Sequence, residues 1–281
     1  MKLTTSTRTL SAIAAVALVA VAGCGGDDDG DDTTAATDGE IQLIQEGKLT
    51  VCTHLPYEPF QYQDESGEIV GFDVDLLQLL ADDLGVEQEI LNVGEWEQVT
   101  SGAVFAADRC DIGMGAMTIT EERAQALLIS DPYFDATQAL IVKTGSGIKG
   151  LEDLEGELVG VQTGTTGQDY GEEHAEEFGY TTQNFEDLAL QLNALKAGQI
   201  AAAINDNVPI LSFVEQNPDT EMVTEFATGE EYGFPAKKDD PNAELIIERL
   251  NELLAQAFED GTYDEIYEKW FGVKPGETNG A

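Results

Sequence analysis

The sequence predicts an α/β protein made of two lobes. Short apolar runs with strand character alternate with longer segments of helical periodicity, which is typical of strands and helices packed in layers. The alternation runs through one series and starts again near residue 158. The chain has 281 residues, and a chain of this length usually forms about two domains. We therefore expect one open sheet in each lobe.

The charge of the chain is strongly negative. It contains 13 basic and 55 acidic residues, and its formal net charge is −42 at pH 7. A surface of this sign repels nucleic acid and anionic lipid head groups, so we expect no nucleic-acid partner. Such a protein stays soluble where salt screens its self-repulsion, and the composition therefore favours an acidic proteome in a saline habitat.

The N-terminal residues have the pattern of a secretion signal. Lys2 and Arg8 precede an apolar segment, residues 10–22, that is too short to span a bilayer. This pattern predicts a signal peptide over residues 1–23. The small residues before Cys24 resemble the bacterial lipobox, in which the cysteine is lipidated; the alternative is an ordinary cleavage site beside Cys24. Residues 24–39 lack apolar periodicity and predict a lipidated, acidic, flexible linker.

The first series begins with a strand at residues 49–53. A helix follows from about Asp73, and residues 89–93 form the next strand. We interpret Asp73 and Asp75 as a helix cap and a first-turn acid, because capping explains both without acid/base chemistry. Trp96 opens another helix, which leads to residue 111.

Residues 111–123 are the segment around which we expect the functional site. They begin as a short apolar strand that contains two glycines, which suits a strand whose backbone approaches another group. Thr118 and Thr120 then supply N-cap hydroxyls, so a helix follows. Arg123 projects from its first turn, where a guanidinium can hold a carboxylate through two parallel hydrogen bonds. The alternative is a surface arginine paired with the neighbouring glutamates.

Residues 139–142 form an apolar run, and a strand at residues 158–162 then starts the second series. The loop after this strand, residues 163–167, consists of Gly and Thr, and such a turn presents amides and hydroxyls to an anion. A phosphate loop would also need a lysine before its Ser or Thr, so the loop favours a carboxylate. A purely structural turn is the alternative.

A further strand, residues 200–204, ends just before Asp206. The Asp206 carboxylate either caps the following helix or holds a cation in a cleft. Open α/β sheets bind ligands at the carboxyl ends of their strands. Arg123, Thr165, Thr166 and Asp206 all stand at such ends. We therefore predict that these four residues share one cleft.

The last quarter of the chain is less regular. Its pattern predicts a strand at residues 232–236, a helix at residues 243–258 and a last helix that ends at Gly272. Residues 273–281 are predicted to be a tail.

Two cysteines remain once Cys24 is assigned to the lipid. Cys52 lies in the first strand and Cys110 directly precedes residue 111. In an oxidising compartment such a pair is more often a disulfide than two free thiols, but bonding requires neighbouring strands, and the sequence leaves both states open. The chain has two histidines and no Cys/His cluster, so we expect no metal site. His54 is a candidate pocket residue.

Several short runs in the chain have the order and spacing of one known family. The runs are Tyr57-Glu58-Pro59-Phe60, Gly71-Phe72-Asp73-Val74-Asp75-Leu76, Asp111-Ile112-Gly113, Thr118-Ile119-Thr120-Glu121-Glu122-Arg123, Ser130-Asp131-Pro132-Tyr133, Val159-Gly160-Val161-Gln162, Gly164-Thr165-Thr166, Gly261-Thr262-Tyr263 and Lys269-Trp270-Phe271-Gly272. Together they resemble the family 3 solute-binding proteins, the polar amino-acid-binding proteins of ABC importers. The resemblance covers residues 49–272.

The resemblance implies a two-lobe, periplasmic-binding-protein-like type II fold. Each lobe would be a central, mostly parallel sheet flanked by helices, with the ligand cleft between the lobes. The first lobe would be discontinuous, with residues 40–138 and 230–272, and the second would comprise residues 139–229. Two crossing strands would form the hinge.

The resemblance also implies roles for individual residues. Those with an implied ligand role are Tyr57, Phe60, Trp96, Gly115, Met117, Thr118, Arg123, Thr165, Thr166 and Asp206. Arg123 would hold an α-carboxylate, helped by the three threonines and the backbone of residues 115–117, and Asp206 would receive an α-ammonium group. The aromatic residues would pack around the ligand, with core packing as the alternative. His54 and Ala116 depart from the family pattern, which leaves the shape of the side-chain pocket open.

The implied function is delivery of a free, polar amino acid to an ABC permease in the cytoplasmic membrane. The protein would be a lipid-anchored monomer without a cofactor. A guanidinium and an acid on opposite lobes fit the two charges of an amino acid, and only a closed cleft would offer both. There are two alternatives. One is a dehydratase-like enzyme on the same scaffold, for which the sequence groups no nucleophile with a base. The other is a sensory module that acts on a signalling partner in trans.

Overall fold

A computed structural model of the chain describes residues 40–276. The predicted signal peptide, Cys24 and the predicted linker lie outside these residues. The strands are β1 (Lys48–Thr53), β2 (Tyr62–Gln63), β3 (Ile69–Val70), β4 (Glu87–Asn92), β5 (Ile112–Gly113), β6 (Leu127–Ile129), β7 (Phe134–Lys143), β8 (Leu158–Gln162), β9 (Thr181–Phe185), β10 (Ala202–Asp206), β11 (Thr220–Tyr232) and β12 (Pro235–Lys237). The helices are α1 (Phe72–Leu84), α2 (Glu97–Thr100), α3 (Ala103–Ala106), α4 (Glu121–Ala126), α5 (Thr166–Phe178), α6 (Leu188–Ala197), α7 (Asn207–Gln216), α8 (Pro241–Asp260) and α9 (Thr262–Phe271). Within residues 40–276, no helix has both the length and the apolar character needed to cross a membrane.

The strands form two main sheets. In the first, β1 lies between β4 and β5, and both pairings are parallel. The second has the order β11-β7-β10-β8-β9. Its β10–β8 and β8–β9 pairings are parallel, whereas β7 pairs antiparallel with both β10 and β11. Because β11 is antiparallel to β7, it has the same direction as β10, and β7 is the one reversed strand among the five of this sheet. The first sheet is therefore parallel and the second mostly parallel, as predicted.

Most predicted elements are present with shifted bounds. The helix predicted from Trp96 is instead two short helices, α2 and α3, separated by Gly102 at a φ of 79°. The strand predicted at residues 232–236 is divided as well. Tyr232 ends β11, whereas β12 pairs with β6 in a separate two-stranded sheet. An apolar run indicates burial, but it does not indicate which sheet a strand joins, and this explains the second error.

The loop after β5 leaves the first sheet from a fixed point. The buried Asp111 carboxylate accepts hydrogen bonds from the amides of Ile44 and Thr50, both at 2.8 Å, and so ties the start of β5 to the neighbourhood of β1. At the other end of the loop, the Thr120 hydroxyl caps α4 by accepting the Arg123 amide at 3.1 Å. Both ends of the loop that carries the predicted site residues are therefore anchored.

Cys52 and Cys110 form a disulfide, and their Cα atoms are 5.7 Å apart. The bond can form because β1 and β5 are neighbours, with Cys52 directly opposite Gly113. Of the two states that the sequence leaves open, the bonded one is present. The disulfide is part of a buried cluster that also contains Trp96 and Met117, so it lies beneath the loops that follow β1 and β5.

We expect the Cys52→Ala/Cys110→Ala double variant to be less stable than the oxidised protein. The bond joins residues 58 positions apart. Closing a loop of this size restricts the unfolded chain, and its loss costs about 2–4 kcal/mol in the loop-entropy account. Urea denaturation at constant salt measures the free energy of unfolding. The wild-type protein under reducing conditions is the control and should match the double variant. A variant as stable as the oxidised protein would contradict the expectation.

Candidate functional site

A cavity is bordered by loops that follow strands of both sheets. About 350 Å³ of space lies between its lining atoms, a volume that includes open solvent, and the centre of a water-sized molecule can reach about 20 Å³ of it. The lining residues are His54, Tyr57, Gln61, Trp96, Gly115, Ala116, Thr118, Arg123, Gln162, Thr165, Thr166 and Asp206. The sequence predicts eleven ligand and pocket residues, and nine of them are in this set. The other two are Phe60 and Met117.

Arg123 lies in the first turn of α4 and reaches across the cavity. Its Nη1 donates to the carbonyl oxygen of Thr118 at 2.8 Å, and its Nη2 donates to that of Gly164 at 3.0 Å. Gly164 belongs to the loop after β8, so the guanidinium connects loops that follow strands of the two main sheets. Burial lowers the pKa of Arg123, and the nearby Asp206 acts in the opposite direction; a guanidinium stays charged at pH 7. In the described part of the chain, its hydrogen bonds go to these carbonyls rather than to the glutamates of α4.

Asp206 ends β10, and its carboxylate is buried. It accepts hydrogen bonds from Tyr57 Oη at 2.7 Å, Tyr232 Oη at 2.5 Å and Gln138 Nε2 at 2.5 Å. Burial and the charge of Glu230 raise the pKa of Asp206 to about 6, although the three hydrogen bonds lower it. The side chain makes no capping bond to α7, Asn207–Gln216. The capping alternative therefore does not apply, and the carboxylate belongs to the cavity.

The loop after β5 brings bare backbone into the cavity at Gly115. This residue has a φ of 153°, and a Cβ atom there would lie 2.4 Å from Cζ3 of Trp96. Any other residue would therefore displace the Trp96 ring as well as strain the backbone. The ring lies against the peptide of Gly115 and closes one side of the cavity.

Asp73 holds the same loop in place. Its carboxylate is fully buried and accepts the amides of Gly115 at 3.1 Å and Ala116 at 2.8 Å, together with Tyr133 Oη at 2.8 Å. Burial raises the pKa of Asp73 to about 7, and these hydrogen bonds act against that rise. The interpretation of Asp73 as a helix cap is wrong: it stands in the first turn of α1, but Gly71 is the cap residue. The carboxylate positions the site instead.

Two threonines, one after β5 of the first sheet and one after β8 of the second, share one acceptor. Thr118 Oγ1 and Thr166 Oγ1 each donate to Glu230 Oε2 at 2.7 Å. Gln138 Nε2 donates to the other carboxylate oxygen of Glu230 at 3.0 Å as well as to Asp206. Glu230 lies on β11, where the pairing with β7 shifts register. The hydroxyls predicted to support a ligand carboxylate thus already donate to a carboxylate of the chain.

The ionisable side chains that line the cavity are His54, Tyr57, Arg123 and Asp206. Burial lowers the pKa of His54, although Asp187 and a backbone hydrogen bond act in the opposite direction. Burial, followed by the charge of Asp206, raises the pKa of Tyr57 well above its usual value. Both side chains are therefore neutral at pH 7. One cation and one anion remain: Arg123 follows a strand of the first sheet, and Asp206 ends a strand of the second. Residues 40–276 contain no group of three His, Cys, Asp or Glu side chains that could hold a metal ion.

Residues 49–273 match a family model described as bacterial extracellular solute-binding proteins, family 3. The match covers more than half of the 281 residues. The chain is a family 3 solute-binding protein. This confirms the family predicted from the sequence, and with it the two-lobe type II fold with a cleft between the lobes.

Three known proteins illustrate the relationship of this solute-binding protein to others. The probable histidine-binding protein of Neisseria gonorrhoeae is 30% identical over 273 residues, which is 95% of this chain and 97% of that protein. The ABC transporter glutamine-binding protein GlnH of Bacillus subtilis is 34% identical over 213 residues, covering 75% of this chain and 76% of that protein. A solved structure of an ancestral arginine-binding protein bound to arginine is 38% identical, with a TM-score of 0.73 and coverage of 80% and 99%. All three are binding proteins, and each is named for a different amino acid.

Two of the predicted ligand residues lie outside the cleft of this solute-binding protein. Phe60 is fully buried and packs its ring against those of Phe72, Phe134 and Tyr232, with centroids 5.1–6.1 Å apart. Core packing, the alternative given for the aromatic residues, therefore applies to it. The Met117 side chain is also fully buried, in the cluster around the disulfide, but the role predicted for Met117 is that of its backbone, and side-chain burial does not bear on it. An aromatic residue has the same sequence pattern in a core and in a pocket, which explains the difference at Phe60.

Sequence reasoning missed the amide side chains and Glu230. Gln162 Oε1 accepts Asn205 Nδ2 at 3.2 Å, and Gln138 connects Asp206 with Glu230. Amides carry neither charge nor a periodicity of their own, so little in the sequence marks them. Gln61 is an exception, because it directly follows the run that ends at Phe60. Its position next to this run could have indicated that Gln61 belongs to the site.

Proposed function

We propose that this protein is the extracytoplasmic substrate-binding subunit of an ABC importer and closes by a hinge motion on a free amino acid. The observation that carries the proposal is that Arg123 and Asp206, from opposite lobes, line one cavity. An amino acid bears two opposite charges a few ångströms apart, and a cation and an anion held out of water match both. The relatives named for histidine, glutamine and arginine support the same ligand class.

In the proposed complex, Arg123 binds the α-carboxylate with the guanidinium N–H groups that Thr118 and Gly164 leave free. The Thr118 and Thr166 hydroxyls and the amides near Gly115 assist it. Asp206 receives the α-ammonium group. Tyr57 and Trp96 flank the ligand, and Thr165 caps α5 by accepting the Gln168 amide at 3.1 Å. Thr165 therefore shapes the loop at 163–165 more than it contacts the ligand.

The proposed hinge consists of β7 and β11. The first lobe would comprise residues 40–138 and 230–272, and the second residues 139–229. Phe226 and Glu230 flank a register shift in the β11–β7 pairing, at the proposed passage from one lobe to the other. A break in a ladder bends a strand and leaves it free to adjust. Hinge closure around a ligand is known for periplasmic binding proteins, and a ligand that contacts both lobes favours the closed form.

The proposal includes the location of the protein in the cell. Residues 1–23 would be removed as a signal peptide, Cys24 would carry the lipid, and residues 24–39 would tether the binding protein to the outer face of the cytoplasmic membrane. There, as a monomer and without catalysis, it would deliver its solute to the permease. The family description as extracellular proteins supports the location, and the net charge of −42 fits a saline medium.

A thermal-shift screen of the proteinogenic amino acids at high salt tests the proposal. We expect one or a few of them to raise Tm, because a ligand at 100 times its Kd stabilises the native state by about 2.7 kcal/mol. Small-angle scattering with the best ligand should show a smaller radius of gyration, as closure requires. A Tm and a scattering profile that stay the same with every amino acid would contradict the proposal. Turnover of the bound compound would favour the enzyme alternative.

A further inference from the structure

One part of the cavity is not used by the two charges common to all amino acids. Under the proposed function, on which this inference rests, Arg123 and Asp206 account for the α-carboxylate and the α-ammonium group. His54, Gln61, Trp96 and Gln162 also line the cavity, and the side-chain oxygen of Gln162 already accepts Asn205 Nδ2 at 3.2 Å. The side chain of the bound amino acid has to fit among these residues, so their chemistry decides which amino acid is bound.

Gln61 is held rigidly and away from water. Its backbone is paired with that of Tyr57: the Tyr57 amide donates to the Gln61 carbonyl at 2.8 Å, and the Gln61 amide donates to the Tyr57 carbonyl at 3.1 Å. The residue is 1% exposed, and within residues 40–276 its Oε1 has no hydrogen-bond partner. Its Nε2 lies 3.5 Å from where a Cβ on Gly115 would be, beside the Trp96 ring. Buried amide oxygens in native proteins are almost always paired, so a ligand group that donates to this one would complete the site.

The charges around Gln61 are engaged by other groups. Arg123 and Asp206, the charged residues that line the cavity, have opposite signs, and the nearby Asp73 and Glu230 carboxylates each accept hydrogen bonds from the chain. His54 is kept neutral by burial, and Asp187, whose charge reaches it, does not line the cavity. A charged ligand side chain placed beside Gln61 would lose its hydration and find no counterion. An uncharged side chain that can donate and accept hydrogen bonds avoids this loss.

We propose that the cleft selects an amino acid with a carboxamide side chain and that Gln61 is its specificity-determining residue. A carboxamide has an NH₂ donor and a carbonyl acceptor, as Gln61 has, so the two form a reciprocal pair in either orientation of the Gln61 amide. Guanidinium and ammonium side chains offer donors alone, and a carboxylate offers acceptors alone; each also brings a charge into a buried space whose charged groups already have partners.

Isothermal titration calorimetry with glutamine, asparagine, arginine and glutamate tests the inference. We expect the wild-type protein to bind a carboxamide amino acid at least about tenfold more tightly than arginine or glutamate. The Gln61→Glu variant places a negative charge at the same point, and it should move the ratio of arginine to glutamine affinity towards arginine by about tenfold or more. Gln63→Glu makes the same change two residues away, at an exposed position in β2, and should leave the ratio unchanged.

Each outcome bears on a separate statement. A wild-type protein that prefers arginine or glutamate would overturn the selection of a carboxamide. If the Gln61→Glu and Gln63→Glu variants have the same ratio of arginine to glutamine affinity, Gln61 does not determine the specificity. If circular dichroism shows that Gln61→Glu is unfolded, Gln61→Met replaces it, and a carboxamide preference equal to that of the wild type then overturns the role. Binding of charged amino acids alone defeats this inference only, whereas the absence of any amino-acid binding defeats the proposed function as well.

Discussion

An Arg123→Ala variant should bind the solute at least about 100-fold more weakly than the wild-type protein. The substitution removes the cation that faces the α-carboxylate and leaves Asp206 without the opposite charge across the cleft. Truncating one partner of a buried charge pair costs about 2–5 kcal/mol, and about 2.7 kcal/mol corresponds to a factor of 100. Calorimetry with the amino acid that gives the largest thermal shift measures the loss.

Arg109→Ala is the matched control for this variant. Arg109 is exposed, and its Nη1 donates a long hydrogen bond to Gln98 Oε1 at 3.4 Å. Its removal should change affinity by less than about twofold, as for other surface positions. Because Arg123 also bonds to Thr118 and Gly164, circular dichroism must show that Arg123→Ala is folded. If the folded variant bound with wild-type affinity, Arg123 would not be the carboxylate ligand.

Binding should weaken as the pH falls below about 6. The α-ammonium group needs an ionised Asp206, whose pKa is raised to about 6 in the ligand-free protein, chiefly by burial. Above pH 7 the carboxylate is ionised and affinity is constant. Below its pKa the proton competes with the ligand, and affinity falls about tenfold for each pH unit. Titrations at pH 5 and pH 7 should therefore differ by about tenfold.

The charge of Glu230 gives this pH dependence a specific test. Glu230 raises the pKa of Asp206, so a Glu230→Gln variant should move the midpoint of the pH dependence to lower pH. Glu231→Gln removes the same charge at the next residue of β11, which is exposed, and it should leave the midpoint in place. An affinity that is equal at pH 5 and pH 7, or equal midpoints in the two variants, would contradict the assignment of Asp206.

The strand and helix alternation could be predicted from the sequence because each element buries one face and shows it as a periodic apolar pattern. The direction of β7 could not. Its apolar residues indicate a buried strand, but they fit a parallel neighbour and an antiparallel one equally well. Short elements such as β2, β3 and β6 contain two or three residues each, which is too few to show a period.

The candidate site also contains residues that the sequence indicates and residues that it does not. Arg123 and Asp206 stand at strand ends and carry charge, so the sequence indicates them directly. Nothing in the sequence indicates a role for Glu230 in the site, because that role depends on Thr118, which is 112 residues away in the chain. The sequence favours a cap role for Asp73 because an acid at the start of a helix usually interacts locally, whereas its partners here lie 42 or more residues away.

The contacts of Glu230 bear on how fast a solute can enter and leave. Its carboxylate occupies the hydroxyls of Thr118 and Thr166, one from each lobe. An arriving solute that uses these hydroxyls exchanges places with a tethered anion rather than with bulk water alone. When the solute leaves, the Glu230 carboxylate can accept hydrogen bonds from both hydroxyls again. Under the proposed function, Glu230 therefore competes with the solute for the hydroxyls of Thr118 and Thr166, and this competition lowers the affinity of the cleft.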